Sequence, residues 1–282
     1  METAYAYTKR ILNRYSIRAK KSLGQNFLIN DGVIENIITQ SGLQVGDYVL
    51  EVGPGPGVLT QALSKIAGKV WALELDDNFS TILVEEFKAE DNVEIIHTDA
   101  LSFNLQDLKL PEGCKLKLIA NLPYYITSPL INYFIDQRQY LQSMTIMVQH
   151  EVARRIAGKP GTKDYGILSV ATQAYCDAKV LFVVPPSSFL PAPKVHSAVI
   201  HLQVLSVPRI NPDTEQKFFK IVKAAFSQRR KTLLNSMSHG LGIEKDVIAN
   251  IIQRIGLTAN IRAEELSIED YNKLTEELFP ER

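Results

Sequence analysis

Short apolar runs alternate with helical patterns between residues 48 and 149. The apolar runs predict five strands, at Tyr48–Val52, Lys69–Leu73, Val93–His97, Leu116–Ala120 and Ser143–Gln149. Strands that alternate with helices are typical of a doubly wound parallel sheet. Two later runs, Val180–Val184 and Ala198–Val204, predict that the sheet ends in an antiparallel pair.

Beyond Pro208 the pattern changes to one helix after another. We expect these helices at Asp213–Phe226, Gln228–Met237, Glu244–Ile255 and Ser267–Leu278. Glycine or asparagine lies in the short turns between them. The sequence therefore predicts an α/β protein with a doubly wound, Rossmann-like domain over residues 1–207 and a small all-helical domain over residues 208–282.

Composition places the chain among globular proteins. Its 282 residues are 45% hydrophobic and 22% charged, which argues against a disordered, fibrous or disulfide-stapled chain. The sequence has no apolar run of membrane-spanning length and no secretion signal pattern, so we expect a cytoplasmic protein with no membrane partner. Cys114 and Cys176 lie far apart without histidine partners at ligand spacing, and no metal site is expected.

The charges are unevenly distributed, although the net charge is zero. Residues 1–29 hold six basic residues and one acidic residue, and residues 208–240 hold seven and two, so each block carries +5. Two basic blocks predict a surface that binds a polyanion, with a solvated charged face as the alternative. We interpret residues 1–19 as a plain N-terminal extension, because the stretch is short and lacks the serine enrichment of an organelle transit peptide.

A glycine-rich loop, Glu51–Gly57, follows the first predicted strand. Gly53 and Gly55 allow the backbone to turn tightly and to approach a ligand at the carboxyl end of the sheet. The loop has the pattern G-x-G-x-G, whereas a dinucleotide fingerprint is G-x-G-x-x-G. Glu51 also suits a ligand with an ammonium or sulfonium charge better than a pyrophosphate. The loop therefore favours S-adenosylmethionine over NAD.

Two more carboxylates follow the next predicted strands. Glu74 can accept hydrogen bonds from ribose hydroxyls, as acidic residues at this position do in dinucleotide enzymes. Asp99 could accept a hydrogen bond from the amine of an adenine. Either residue alone is explained as a surface acid. Together with Glu51, however, they place three carboxylates at successive strand ends, which favours a nucleoside site.

The most informative segment reads Asn121-Leu122-Pro123-Tyr124 and follows the fourth predicted strand. An amine conjugated to an aromatic ring is a poor nucleophile because its lone pair is delocalised. The side-chain oxygen of Asn121 and a backbone carbonyl beside Pro123 could accept the two amine hydrogens and aim the lone pair at a methyl group. Tyr124 offers a ring on which a base could stack. A strand-ending turn is the alternative use of such a segment.

Five segments together resemble the ribosomal RNA adenine dimethyltransferases, from about residue 18 to the C-terminus. They are Lys21–Leu28, Glu51–Gly57, Asn121–Tyr124, Phe189–Ser197 and Phe226–Leu233. The fourth segment and the C-terminal helices favour the small-subunit branch over the large-subunit methyltransferases that confer macrolide resistance. A role as an assembly or transcription factor, with methylation secondary, is the alternative outside enzymology. Zinc-dependent base deamination is unsupported, because no histidine lies in an H-x-E or P-C-x-x-C pattern.

The resemblance implies transfer of two methyl groups from S-adenosylmethionine to each of two adjacent adenosines in the 3′-terminal hairpin of small-subunit ribosomal RNA. Residues 1–207 would then be the catalytic domain, and residues 208–282 would bind RNA. We expect the RNA to be recognised within a partly assembled small subunit, and we expect the protein to be a monomer that needs no metal.

The resemblance also assigns roles to individual residues. The cofactor would be contacted by Asn26, Leu28, Gly53, Gly55, Glu74, Asp99 and Asn121. The catalytic loop would comprise Asn121, Leu122, Pro123 and Tyr124, with Phe189 stacking on a flipped adenine opposite Tyr124. Arg229, Arg230 and Lys231, expected at the start of a helix, would bind RNA phosphates. An exposed helix turn is the alternative reading of this basic triplet.

Overall fold

The computed structural model describes residues 2–20 and 24–280 of the chain. The chain divides into two compact units, one composed of Met1–Ala153 and Lys179–Val204 and the other of Arg154–Ala178 and Leu205–Arg282. Within the described residues, no helix has the length and apolar character that crossing a membrane requires.

The described part of the chain contains nine strands. They are β1 Phe27–Leu28, β2 Tyr48–Val52, β3 Lys69–Glu74, β4 Val93–His97, β5 Leu116–Asn121, β6 Leu141–Gln149, β7 Cys176–Val184, β8 Phe189–Leu190 and β9 Ser197–Val204. The α-helices are α1 Ala4–Arg14, α2 Asp31–Gln40, α3 Val58–Ser64, α4 Asp77–Glu86, α5 Thr127–Asp136, α6 His150–Ile156, α7 Ile167–Gln173, α8 Glu215–Ala225, α9 Leu233–Leu241, α10 Lys245–Arg254 and α11 Ile268–Leu278.

The larger sheet has seven strands in the order β4-β3-β2-β5-β6-β9-β7. The pairs β2–β3, β2–β5, β3–β4 and β5–β6 are parallel. β9 runs antiparallel to β6, and the two strands predicted as the final pair, β7 and β9, lie next to each other at the end of this sheet. Each predicted strand lies within an observed one, so the prediction of a doubly wound sheet is confirmed.

The central strands of this sheet are buried on both faces. Val49 and Leu50 of β2 are each 0% exposed, and Ile119 of β5 is also 0% exposed. Helices that cover both faces require apolar residues at successive positions rather than at alternate ones. Because β2, β3 and β5 are parallel, the loops that follow them all lie at the carboxyl ends of the strands. The candidate site is formed there.

Helix α1 is not predicted by any pattern noted in the sequence. It buries Tyr7 and Ile11 in the apolar core of the first unit. Arg10 and Arg14 form ion pairs with Glu86 of α4, at N–O distances of 3.1 and 3.0 Å. The N-terminal basic block is therefore partly neutralised by an acid of the same unit.

The second unit includes residues 154–178, so its bounds differ from those of the expected helical domain. The amide of Arg209 donates to the carbonyl of Ala174 at 2.8 Å. The rings of Tyr165 and Phe226 pack with their centroids 6.4 Å apart. These contacts join residues that are distant in the sequence.

The predicted helix over Gln228–Met237 is wrong at both ends. Helix α9 begins five residues later and extends to Leu241, and Arg229–Lys231 lie in the turn before it. The hydroxyl of Thr232 caps the helix by accepting the amide hydrogen of Asn235. A capping threonine inside a periodic run determines where the helix starts. The basic triplet therefore precedes the helix instead of forming its first turn.

Close packing of α8 against α9 gives a test of the second unit. A Cβ atom added at Gly240 would lie 2.8 Å from the Cα and Cβ atoms of Ala224. We expect Gly240→Ala to lower the free energy of unfolding by about 1–3 kcal/mol, because backbone atoms must move apart. Thermal unfolding followed by circular dichroism would measure the loss. Gly32→Ala is the control, since a Cβ there would meet only Asn30 at an ordinary 3.5 Å. Equal melting temperatures for the two variants would contradict this packing.

Candidate active site

A cleft of about 970 Å³, open solvent included, lies at the carboxyl ends of the parallel strands in the first unit. Ten residues expected in the cofactor site or the catalytic loop line it: Asn26, Leu28, Gly53, Gly55, Glu74, Asp99, Asn121, Leu122, Pro123 and Tyr124. The structure therefore brings together residues that are nearly 100 positions apart in the sequence.

The glycine loop after β2 follows a path that only glycine adopts easily. Gly53, Gly55 and Gly57 have φ values of 67°, 55° and 92°. A Cβ atom on Gly57 would lie 2.7 Å from the side chain of Leu83 and 2.8 Å from the ring of Phe87. The loop thus turns back close to α4, and its backbone, free of side chains, faces the cleft at Gly53 and Gly55.

Glu74 connects the end of β3 to the glycine loop. Its two carboxylate oxygens accept hydrogen bonds from the amide of Gly55 at 3.0 Å and the amide of Asp76 at 2.8 Å. Burial raises the pKa of Glu74, and these two hydrogen bonds oppose that effect. Each oxygen retains a further lone pair, so Glu74 can still accept hydrogen bonds from a ligand in the cleft.

Glu51 is a fully buried carboxyl group at the base of the cleft. It is 1% exposed and accepts a hydrogen bond from the hydroxyl of Thr60 at 2.6 Å. Burial raises the pKa of Glu51 to about 8, and the nearby charge of Glu74 acts in the same direction. A positively charged ligand in the cleft would favour the ionised carboxylate.

The segment from residue 24 to β1 covers another side of the cleft. Asp76 holds this segment by accepting hydrogen bonds from Lys20 at 2.8 Å and from the side chain of Gln25 at 3.0 Å. These contacts lower the pKa of Asp76, against the opposing effect of its burial. Lys21–Leu23, which form part of the motif expected here, lie outside the described residues.

The side chain of Asn121 connects the catalytic loop to this segment. Its amide nitrogen donates to the carbonyl of Asn26 at 3.1 Å. A bond to a carbonyl oxygen identifies the nitrogen end of the amide, so the other end is an oxygen that can accept a hydrogen bond from a ligand amine. The backbone of Leu122 is fixed by its N–H, which donates to the carbonyl of Met147 on β6 at 3.1 Å.

The two carbonyls around Pro123 differ in their partners. The Pro123 carbonyl accepts hydrogen bonds from the amide of Ile126 at 3.3 Å and from the hydroxyl of Thr127 at 3.1 Å. The acceptor beside the proline is therefore better assigned to the carbonyl of Leu122. Pro123 itself packs beside the glycine loop, where its ring would lie 3.7 Å from a Cβ on Gly53.

Tyr124 is held by a residue to which the sequence assigns no role. Its hydroxyl forms a short hydrogen bond with Ser197, which is fully buried at the start of β9. Burial raises the pKa of Tyr124, so the phenol stays protonated near neutral pH. Ser197 lies in the Phe189–Ser197 motif, but no local pattern predicts that it contacts Tyr124.

Tyr125 is a second aromatic residue of the cleft that sequence reasoning missed. It lines the cleft with 53% of its surface exposed, and a Cβ on Gly24 would lie 3.2 Å from its ring. Its position directly after Tyr124 is the signal that could have identified it.

Phe189 and the basic triplet lie outside the cleft lining. Phe189 is 3% exposed, pairs with Leu28 between β8 and β1, and packs in the core of the first unit. Stacking of Phe189 on an adenine opposite Tyr124 stays a prediction. Arg229, Arg230 and Lys231 are exposed residues of the second unit.

The raised pKa of Glu51 predicts how its removal affects stability. Folded Glu51 holds its proton more tightly than unfolded Glu51, whose pKa is near 4.5. Its contribution to stability is therefore complete below that value and is lost as the pH rises through about 8. We expect Glu51→Gln to gain stability relative to wild type between pH 5 and pH 8.5, on the order of a few kcal/mol. Urea unfolding at both pH values measures the difference.

The matched control is Glu35→Gln, which removes an exposed acid on α2. It should show the same stability difference from wild type at both pH values. If the stability difference between Glu51→Gln and wild type is also the same at both pH values, burial does not perturb the carboxyl group of Glu51.

A family model and curated relatives match nearly the whole chain. The family described as "Ribosomal RNA adenine dimethylase" matches residues 16–279. A curated relative from Desulfitobacterium hafniense, "Ribosomal RNA small subunit methyltransferase A", is 49% identical over 276 residues, which cover 98% of each chain. The relative of the same name from Alkaliphilus oremlandii is 45% identical over 275 residues and 96% of each chain.

Two solved structures also resemble the chain. A dimethyladenosine transferase from Plasmodium falciparum is 25% identical, with a TM-score of 0.73 over 88% of this chain and 95% of that one. The 23S rRNA methyltransferase ErmE has a TM-score of 0.70 over 90% of this chain and 99% of that one, and at 24% identity it shows the shared fold. The family match and the curated relatives span nearly the whole sequence. The chain therefore belongs to the ribosomal RNA adenine dimethylase family.

Proposed function

We propose that this protein uses S-adenosylmethionine to dimethylate the N6 amines of two adjacent adenosines in the 3′-terminal hairpin of small-subunit ribosomal RNA. It acts in the cytoplasm, as a monomer that needs no metal, on a partly assembled small subunit. The observation that carries the proposal is the placement of Asn121 and Leu122 in the lining of the cleft, beside the buried carboxyl groups of Glu51 and Glu74. The names of the curated relatives support the choice of the small-subunit RNA.

The residues of the cleft fit S-adenosylmethionine. When bound, this cofactor would supply an electrophilic methyl group on a positively charged sulfur, which would keep the electron pair of the broken C–S bond and leave as a neutral thioether. Glu51 offers a buried carboxyl group whose ionised form a cation stabilises. Glu74 suits the ribose hydroxyls and Asp99 suits the adenine, while Gly53 and Gly55 give the backbone a close approach.

Two acceptors of the catalytic loop activate the adenine amine. The oxygen of Asn121 and the carbonyl of Leu122 accept its two hydrogens, which withdraws the lone pair from the ring and leaves it free to form the new C–N bond. The hydrogen bond from Asn121 to Asn26 and the bond from Leu122 to Met147 hold these acceptors in place before the substrate arrives. Such preorganised acceptors and fixed orientation supply most of the rate acceleration in a direct displacement.

No strong base is needed in this reaction. The nitrogen becomes positively charged when the C–N bond forms, and it then loses a proton easily to water. The surrounding side chains therefore only need to position the adenine amine and polarise it. Tyr124, oriented by Ser197, provides the ring on which the extruded base stacks.

RNA binding is assigned to the helices of the second unit. Arg229, Arg230 and Lys231 are exposed, and among the described residues none of them forms an ion pair with an acid. Free guanidinium and ammonium groups in a turn can contact several phosphates. Contacts of this kind position an RNA without reading its sequence.

A methyl-transfer assay with labelled S-adenosylmethionine tests the proposal. Unmethylated small subunits, naked small-subunit RNA and naked large-subunit RNA are offered side by side. The expected product is dimethyladenosine near the 3′ end of the small-subunit RNA. If label appears only in large-subunit RNA, that RNA is the target instead of the small-subunit RNA. If the protein binds the cofactor but transfers no methyl group to any RNA, a role in assembly alone is favoured.

Asn121 gives the sharpest test of the mechanism. We expect Asn121→Ala to weaken S-adenosylmethionine binding far less than it slows methyl transfer, which should fall at least about a hundredfold because an acceptor used in the transition state is lost. Single-turnover rates and equilibrium dialysis measure the two effects. Asn250→Ala, at an exposed position of α10, should match wild type. A rate within threefold of wild type for Asn121→Ala would contradict the assigned role.

The contact between Tyr124 and Ser197 predicts a coupled pair of variants. Ser197→Ala and Tyr124→Phe each remove the same hydrogen bond, and each should slow methyl transfer about three- to tenfold. The double variant should be no slower than the single ones, because both changes remove one interaction. Cofactor affinity is the accompanying readout and should be unchanged. If the double variant is slowed by the product of the two single factors, the two residues act independently.

A further inference from the structure

Tyr125 is the most exposed aromatic side chain in the lining of the catalytic cleft, and the proposed mechanism gives it no role. Phe27 is only 5% exposed and Tyr124 is half-buried, whereas 53% of Tyr125 is exposed. Large apolar side chains that stay open to solvent in a cleft commonly mark the place where a ligand packs. The surroundings of Tyr125 identify which part of which ligand that is.

Tyr124 and Tyr125 lie in the same turn after β5 but contact different parts of the first unit. The hydroxyl of Tyr124 bonds to Ser197 at the start of β9. The ring of Tyr125 lies instead against the segment before β1, where a Cβ atom on Gly24 would come within 3.2 Å of it. The two neighbouring rings therefore serve different sides of the cleft.

Electrostatics show which side Tyr125 serves. Burial raises the pKa of Tyr125, and the charges of Asp99 and Glu74 raise it further. Glu74 ends β3 and Asp99 follows β4, and these two strands lie on one side of β2, whereas β5, β6 and β9 lie on the other. Although Tyr125 follows β5, it therefore lies near the two carboxylates that suit a nucleoside, and Tyr124 lies toward β9.

Apolar side chains accompany both of these carboxylates. Leu75 directly follows Glu74, lines the cleft and is 46% exposed. Ala100 directly follows Asp99 and also lines the cleft. Carboxylates can hold the hydroxyls and the amine of an adenosine by hydrogen bonds, but they give no contact to the flat faces of its ring system. Aromatic and aliphatic side chains supply such contacts.

We propose that Tyr125 closes the nucleoside end of the cleft by packing its ring against the adenosine part of the bound cofactor. The proposal rests on the proposed function in that S-adenosylmethionine is taken as the ligand. The same adenosine is present in the product S-adenosylhomocysteine, so the contact contributes equally to the binding of both molecules. This role differs from that of Tyr124, whose ring receives the target base.

Two variants of the full-length protein, Tyr125→Ala and Tyr125→Phe, test the contact. Equilibrium dialysis gives the Kd of labelled S-adenosylmethionine, and competition against it gives the Kd of S-adenosylhomocysteine. Tyr5→Ala is the matched control, because Tyr5 is 50% exposed in the same unit and lies outside the cleft lining. Melting temperatures check that each variant is folded.

We expect Tyr125→Ala to weaken the binding of both ligands about tenfold, because packing of an aromatic side chain against a base contributes affinity of that order. Tyr125→Phe keeps the ring and should bind both ligands within about threefold of wild type, and Tyr5→Ala should match wild type. Wild-type affinity of Tyr125→Ala for S-adenosylhomocysteine would overturn the proposal. Equal losses for Tyr125→Ala and Tyr125→Phe would also overturn it, because the ring would then not carry the contact.

Glu51→Gln provides the contrast that identifies the nucleoside end. It removes a carboxylate that favours a cationic ligand, so at pH 8.5 it should weaken binding of S-adenosylmethionine more than binding of the neutral thioether S-adenosylhomocysteine. Tyr125→Ala should weaken both by the same factor. A loss for Tyr125→Ala that is confined to S-adenosylmethionine would place its ring at the methyl group and would contradict the proposal.

The methyl-transfer assay separates this result from the fate of the proposed function. If the wild-type protein methylates adenosine and Tyr125→Ala binds both ligands as wild type does, the role of Tyr125 alone is refuted. If the wild-type protein binds both ligands but methylates no RNA, and Tyr125→Ala loses affinity for both, the proposed reaction is refuted and the role of Tyr125 is supported.

Discussion

The parallel pairing of β2, β3 and β5 is the constraint on which the site depends. It sends the glycine loop, Glu74 and the Asn121–Tyr124 loop to one edge of the sheet. Hydrogen bonds at these strand ends then connect the glycine loop to the end of β3, from Gly55 to Glu74, and the end of β5 to the segment before β1, from Asn121 to Asn26. The site is therefore built from main-chain geometry that the buried sheet holds rigid.

Glu51 shows that this arrangement has a cost in stability. Burial of a carboxyl group with a pKa near 8 works increasingly against folding as the pH rises from about 4.5 to about 8, yet it places a potential negative charge where a sulfonium would bind. Perturbed carboxyl groups of this kind are common in functional sites. In the proposed function, binding of the cationic cofactor recovers part of that cost.

Local pattern was sufficient for the sheet and for most of the site. Each predicted strand lies within an observed one because apolar runs such as Tyr48–Val52 carry their own signal. Residues at strand ends, such as Glu74 and Asn121, followed from those strands and line the cleft. A motif that ends a strand needs no long-range information to be placed at the sheet edge.

Features that depend on distant partners could not be predicted in this way. The pairing of β1 with β8 buries Phe189 beside Leu28, and the contact between Tyr124 and Ser197 joins residues 73 positions apart. The same holds for residues 154–178, which pack in the second unit. The start of α9 is a local feature, but the periodic pattern outweighed the capping signal of Thr232.

In the proposed mechanism, the protein activates the adenine amine by accepting its hydrogens rather than by removing a proton with a base. The most direct measurement is the single-turnover rate of methyl transfer, at saturating S-adenosylmethionine and RNA, between about pH 6 and pH 9. We expect a rate that does not change across this range. A rate that rises tenfold per pH unit would contradict it, because a group would then have to lose a proton before reaction.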